Sequence, residues 1–412
     1  MKSQLRLFLT ALLSISMLAT AVAADKSSDS PAPATYLLTN DDGILHSYVS
    51  FYTPGGTQNA PTLNFAASVG TIGKGIAGGY FGLPRLAMLP TSAPQCLFAS
   101  DAGTTDIAGI NIQSQLQTGN FRASPTDIGD AMGIGLVQNA TYLYAGYSSS
   151  NTIATFSVLP GCQLSFLGDV AAAGLNGGSV SGMALHGNIL VLAYADGSIE
   201  SFNVANGLPV SNGDEQNSTS YTSNNITFPD GVDITSDGHF AIFGDSSVGL
   251  TLEVSDISSG HLTPTIPYNL GAGASAVGPS IRSRISGINS GSLRLSPDQS
   301  LIFIGNNEVG SVAAAFFNPQ TGTISGGCSS PSLAGYYNPW AFTGSVVTRD
   351  NTGTGGVLYV AEYGYAGSSI GVLTITSNGT NLCSLVESSG SQVQDLLTQG
   401  LLSLATYPPR QF

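Results

Sequence analysis

Two arginines, Arg282 and Arg284, stand one residue apart in GPSIRSRISG, in a chain whose 11 Lys and Arg face 25 Asp and Glu. A guanidinium presents a planar fork of donors that matches a carboxylate or a phosphate. On so acidic a chain, this pair reads either as a site for an anionic or carbonyl group or as surface pairing with neighbouring acids. Arg85, in GGYFGLPRL, occupies a comparable connection and is a second candidate for ligand binding. Glu308 and Glu362 could activate water as general bases beside such a cation. The segment GYYNPWAF brings Tyr336, Tyr337 and Trp340 together, and their ring faces could stack on a sugar or lactone ring. Of the four histidines, His46 and His186 fall where they could face a channel. His239 and His261 follow Gly in turn signals.

The acids recur in one place. Asp41 and Asp42, Asp101, Asp196, Asp245, Glu308 and Glu362 each follow a short apolar run. Such a series could form a carboxylate ring able to hold a hard cation. It also fits tight turns, because Asp caps backbone N–H groups. The turn reading is preferred, and no metal or cofactor site is assigned. G-x-G-x-x-G at 73–78 lacks a βαβ context, and G-x-S-x-G at 367–371 lies in a hairpin rather than a strand-to-helix elbow. Neither is read as chemistry.

The elements that must position these residues repeat. LRLSPDQSLIFIGNNEVGSVAAAFFNPQTGTIS reads as three β-runs cut by turns at Pro297-Asp298 and near Asn307, with a further turn at Asn318 to Gly322. A lone meander is marginal in water, so its faces need partners. The second run recurs from Tyr36, Cys96, Tyr142, Ile189, His239, Leu301 and Leu358, at spacings of 60, 46, 47, 50, 62 and 57 residues. A period near 50 with about four strands per unit is the signature of a propeller blade. The first unit lacks a run before Tyr36, and the tail GLLSLATYPPRQF resembles one. The expectation is one all-β, seven-bladed propeller over 35–412, with four-stranded antiparallel blades and a ring closed by the C-terminal strand.

One tryptophan excludes Trp-Asp and Trp-docking repeats. LRLSPDQSLIFIGN, LYVAEYG and NPQTGTIS, echoed by GVDITSDGHFAIFGDSS and ISSGHLT, resemble the blade pattern of the lactonase-like seven-bladed propellers. That family includes the 6-phosphogluconolactonases and muconate-lactone-forming cyclases. The resemblance implies a lactonase-type hydrolase working at the central-channel mouth on a small lactone. The family's Pro-Arg-His step at the start of an inner strand is missing here, and the nearest is Pro84-Arg85, followed by Leu86. A non-catalytic binding propeller for a glycan, a surface partner or a small ligand is therefore carried beside the enzyme.

Composition bounds the setting. Charged residues make up 9%, against about 25% in typical soluble domains, and 52 residues are glycine. MKSQLRLFLTALLSISMLATAVAAD has Lys2 and Arg6, an apolar run and an A-x-A step, the pattern of a signal peptide over 1–23. A loose leader over 24–34 follows. No later stretch is apolar enough to suggest a membrane span. The expected location is secreted or periplasmic. Net charge is −14, a balance that repels nucleic acid. Four cysteines in an exported chain suggest two disulfides with three possible connectivities. The expected pairs are Cys96–Cys162 and Cys328–Cys383.

Overall fold

Each blade is a sheet whose second strand is almost wholly buried, and third strands such as DIAGIN and SIESFN bury five of six positions. The sequence of those runs explains why. YLLTND, CLFASD and ILVLAY carry apolar or small residues on both faces, and all three bury five of six positions. Such a strand needs cover on both sides, which a ring of face-packed sheets provides. The computed structural model describes residues 36–57, 60–76, 78–80, 82–89, 94–123, 130, 132–218, 229–245, 251–269, 293–306, 311–331, 333, 342–349, 355–364, 367–378, 382–388, 393–395 and 401–407. The signal-peptide and leader expectations lie outside them.

Among the described residues there are seven antiparallel sheets, the seven blades of a propeller. Blade 1 holds β1 (Tyr36–Asp41), β2 (Tyr48–Thr57) and β3 (Ala60–Gly70). Blade 2 holds β4 (Leu86–Met88), β5 (Cys96–Asp101), β6 (Asp106–Asn111) and β7 (Leu116–Phe121). Blade 3 holds β8 (Ile134–Gln138), β9 (Tyr142–Tyr147), β10 (Thr152–Leu159) and β11 (Gln163–Ala171). Blade 4 holds β12 (Val180–His186), β13 (Ile189–Tyr194) and β14 (Ser198–Asn203), with the short β15 (Val210–Ser211) and β16 (Gln216–Asn217) both on β14. Blade 5 holds β17 (Pro229–Ile234), β18 (Phe240–Asp245), β19 (Thr251–Asp256) and β20 (Ile266–Asn269). Blade 6 holds β21 (Leu293–Leu295), β22 (Leu301–Asn306), β23 (Ser311–Asn318) and β24 (Thr323–Ser329). Blade 7 holds β25 (Phe342–Arg349), β26 (Gly355–Gly364), β27 (Gly367–Ser377) and β28 (Cys383–Glu387), with β29 (Val393–Asp395) beside β27.

The last strand, β30 (Leu401–Tyr407), pairs with β1 and supplies the inner strand of blade 1. Its register runs from Tyr36 opposite Tyr407 to Asp41 opposite Leu401, with a bulge at Asn40/Asp41. The C-terminal closure expected from the sequence is present.

Seven apolar cores separate the seven blades. Leu38, Val49 and Phe51 of blade 1 meet Leu97 and Ile110 of blade 2. Tyr359, Ile370 and Val372 of blade 7 meet Leu37, Tyr52 and Leu404 of blade 1, which completes the circle. The other five clusters fill the intervening gaps. Each meander thus finds its partners in its neighbours. Both expected disulfides form, with Cα–Cα separations of 5.2 Å for Cys96–Cys162 and 5.6 Å for Cys328–Cys383. One joins blade 2 to blade 3, the other blade 6 to blade 7.

Candidate functional site at the connection face

Strand direction places the site. Antiparallel order sends the inner strand of a blade away from one end of the ring, and the second strand back to it. The turns between second and third strands therefore share that end with the connections from one blade to the next. Asp41, Asp42, Asp101 and Asp196 stand at the returning ends of β1, β5 and β13 or just beyond them, so all belong to this connection face.

These acids are engaged by the chain. Asp41 accepts hydrogen bonds from Thr39 Oγ1 at 2.6 Å and Ser50 Oγ at 2.5 Å. Asp196 accepts from the backbone N–H groups of Asn176, Gly178 and Ser198 and from Ser198 Oγ. Burial would raise its pKa, but these hydrogen bonds prevail and hold it below the usual carboxylate range. Asp130 accepts from the N–H groups of Met132, Gly133 and Ser149. Asp245 closes β18, opposite Pro229 on β17 and Thr251 on β19. No group of three or more His, Cys, Asp or Glu among the described residues is placed to hold a metal ion.

A charged knot lies between blades 1 and 2. Pro84-Arg85 leads directly into the inner strand β4, and Arg85 is fully buried. Its Nη1 donates to Asp42 Oδ2 at 3.2 Å, with both side chains at 0% exposure. Its Nη2 donates to the Gly78 carbonyl at 2.8 Å, and its backbone N–H to Ser403 Oγ on β30 at 3.3 Å. Burial pushes the guanidinium pKa down, and Asp42 and Asp130 oppose that shift. Arg85 thus ties two inner strands and the incoming connection together, and it turns no side-chain surface to solvent.

Asp101 is the neighbouring buried acid. Thr71 Oγ1 donates to its Oδ1 at 2.9 Å, and its Oδ2 has no hydrogen-bond partner. Burial raises its pKa to about 7, with Asp42 and Asp106 adding to the rise and the nearby hydroxyls of Thr71 and Ser47 opposing it. Nearby, Arg122 forms a two-pronged ion pair with Asp106 and stays 46% exposed.

The 71–75 segment covers this knot by a strand-like alternation. Thr71, Gly73 and Gly75 face inward, and Ile72 and Lys74 face solvent. A Cβ on Gly73 would collide with the Asp101 carboxyl, and one on Gly75 with Asp42. Thr71 N–H bonds the Ser47 carbonyl at 2.9 Å, and Lys74 N–H bonds Thr104 Oγ1 at 3.0 Å. The connection from blade 3 to blade 4 repeats the arrangement. Ala172 N–H bonds the Asn151 carbonyl, Gly174 sits on Asp196, and Leu175 N–H bonds Ser198 Oγ. Asp101 and Asp196 therefore seat the backbone of the connection arriving from the previous blade, while Asp42 holds the far end of the connection that leaves its own blade. Sequence reasoning missed this seating. Its signal was a glycine at the start of a connection, with an acid at the end of the next blade's second strand.

The remaining candidates fall as follows. His46 is exposed on the 43–47 turn. Glu362 lies on β26, opposite Phe342 and Ser369. Arg282, Arg284, Glu308, Tyr336, Tyr337 and Trp340 lie outside the described residues. His186 ends β12 and packs under the Gly238 turn of blade 5. On the inner strands, Asp233 accepts the Leu295 N–H at 2.9 Å and joins blades 5 and 6.

No protein-family model and no curated protein sequence matches the chain. Solved structures do. A Bacteroides fragilis protein assigned provisionally as a 6-phosphogluconolactonase superposes with a TM-score of 0.64 at 12% identity, over 92% of this chain and 99% of that one. A similarly assigned Bacteroides uniformis protein gives 0.63 at 11% identity, over 90% and 99%. The periplasmic gluconolactonase of Pseudomonas aeruginosa gives 0.52 at 13% identity, over 73% and 82%. What the chain shares with these proteins is the fold, a β-propeller.

Proposed function

We propose that the chain is an exported lactonase-like propeller that takes a small lactone at the connection face and hydrolyses it there. The observation that supports this best is the placement of positive charge. Of the eleven Lys and Arg residues, Lys2, Arg6 and Lys26 precede the first strand. Of the other eight, Lys74, Arg85, Arg122, Arg282 and Arg284 belong by sequence to blade-to-blade connections; Arg85 and Arg122 are engaged by Asp42 and Asp106, so this reading assigns the ligand to Lys74 and the Arg282/Arg284 pair. A face that gathers scarce cations on an acidic chain suits a ligand with a carbonyl or an anionic group.

In this reading, Arg282 and Arg284 orient the lactone carbonyl and stabilise the oxyanion, while Glu308 or Glu362 takes a proton from the attacking water. The water oxygen bonds to the carbonyl carbon, and the ring C–O bond breaks. The departing alkoxide takes up a proton to give a hydroxy acid. Tyr336, Tyr337 and Trp340 stack on the ring. The signal-peptide pattern over 1–23, the two disulfides and the likeness to a periplasmic protein support export.

A non-catalytic binding propeller for a glycan, a surface partner or a small ligand is the second reading. It is favoured by the burial of Asp41, Asp42 and Asp101 and by the hydrogen bonds that engage Asp196, which leave none of them turned toward a ligand as a base. A panel of sugar and aliphatic lactones, assayed with the parent, Arg284→Ala and Glu308→Gln, separates the two. The enzyme predicts turnover that is lost in both folded variants. Turnover that survives both overturns the site, and no turnover beside measurable glycan binding selects the second reading.

A further inference from the structure

Three large aliphatic side chains stand in water on two segments of the connection face. Ile44 is 62% exposed, Leu45 74% and Ile72 78%. The segments are held side by side: Thr71 N–H bonds the Ser47 carbonyl and Gly75 N–H the Gly43 carbonyl, each at 2.9 Å. Beneath them, Ile76 N–H and Arg85 both bond Asp42, and Thr71 bonds Asp101. The alternation of 71–75 pins Gly73 and Gly75 onto the two carboxyls and directs Ile72 and Lys74 outward. The exposed surface is therefore built on a buried, charged foundation. An apolar patch that is held in place in this way and stays open to water among the described residues marks an interaction surface.

The charge beside the patch identifies what covers it. Lys74 is the single lysine after position 26, and it is exposed on the same segment as Ile72. His46 is exposed next to Leu45 and adds a polar ring nitrogen. A neutral apolar partner would leave the ammonium without a counter-charge.

We infer that the 43–47 turn and the 71–75 segment form a docking surface for an aliphatic anion, with Ile44, Leu45 and Ile72 against the hydrocarbon chain and Lys74 paired with its carboxylate. The inference does not depend on hydrolysis, since its readout is binding alone.

Titration calorimetry of the folded chain with decanoate, held below its micelle-forming concentration, tests it. Octyl glucoside serves as the neutral comparison. Saturable one-to-one binding of decanoate is expected, weakened about tenfold or more by Ile72→Asp or Leu45→Asp, since each places a charge where the chain would be buried. Lys74→Gln is expected to remove the preference for decanoate over octyl glucoside. Ile266→Asp, on β20 and equally exposed at 73%, is expected to change nothing. Melting temperatures confirm that each variant is folded. Non-saturable heats, unchanged affinity in Ile72→Asp, or equal loss in Ile266→Asp overturns the proposal. A dimer in sedimentation that Leu45→Asp dissolves assigns the surface to a second copy and overturns it as well.

Discussion

At the scale of single residues, Arg85 and Asp101 show how burial changes what a charged group can do. Arg85 has lost its water and gained Asp42, so removing the guanidinium strands a buried carboxylate. Arg85→Leu should cost about 3–5 kcal/mol in urea unfolding. The double change Arg85→Leu with Asp42→Leu should recover much of that, because no lone charge is left inside. Asp101 gives a pH dependence with a definite sign. Its pKa is 3.8 in the unfolded reference and about 7 in the fold, so the folded state holds a proton that the unfolded chain releases. Its contribution to stability is intact below pH ~4. It falls as pH rises from there to about 7, and is level above that. Three pKa units correspond to roughly 4 kcal/mol at most. Asp101→Asn mimics the protonated carboxyl and should flatten this slope; a slope equal to the parent's would show that other groups carry it.

At the scale of elements, the strands were legible and the connections were not. Second and third strands announce themselves by runs such as LIFIGN and SVAAAFF, because burial on both faces demands continuous apolar or small residues. Inner strands such as LAM and LRL are three residues long and carry almost no periodic signal. Both disulfide pairs were legible as expectations once the blades were aligned. The candidate site was legible only in part. The acids at the blade ends could be found by spacing, but the task of Asp101 and Asp196 could not, because the groups they hold come from the connection that leaves the preceding blade. Gly73 illustrates this. Nothing local requires glycine there; the requirement comes from Asp101, 28 positions on, pressing against its α-carbon. Gly73→Ala should therefore destabilise the chain by about 1–3 kcal/mol. Gly78→Ala, whose added methyl would meet nothing nearer than 3.9 Å, should be close to neutral. Equal melting temperatures for the two variants would refute the seating of this connection on Asp101.

At the scale of the whole molecule, the ring is held by apolar cores between all neighbouring blades, two inter-blade disulfides and one strand pairing that closes the circle. All four cysteines should resist thiol titration after denaturation without reductant; four reactive thiols would remove the disulfides from the account. Deleting 401–412 strips the inner strand from blade 1 and takes Leu404 and Tyr407 out of two cores. The truncated chain should melt well below the parent, and equal melting temperatures would refute closure by β30. The same pairing imposes an order in time. Leu37 is made near the start of the chain and Thr406 near its end, yet they face each other in one sheet. A chain emerging end-first must keep β1 waiting, with an edge unpaired, until the final residues arrive. Joining such distant ends is entropically slow. The last step of folding is then a race between ring closure and pairing with a neighbouring chain's open edge. Refolding yield should therefore fall with protein concentration more steeply than the stability of the closed ring would suggest.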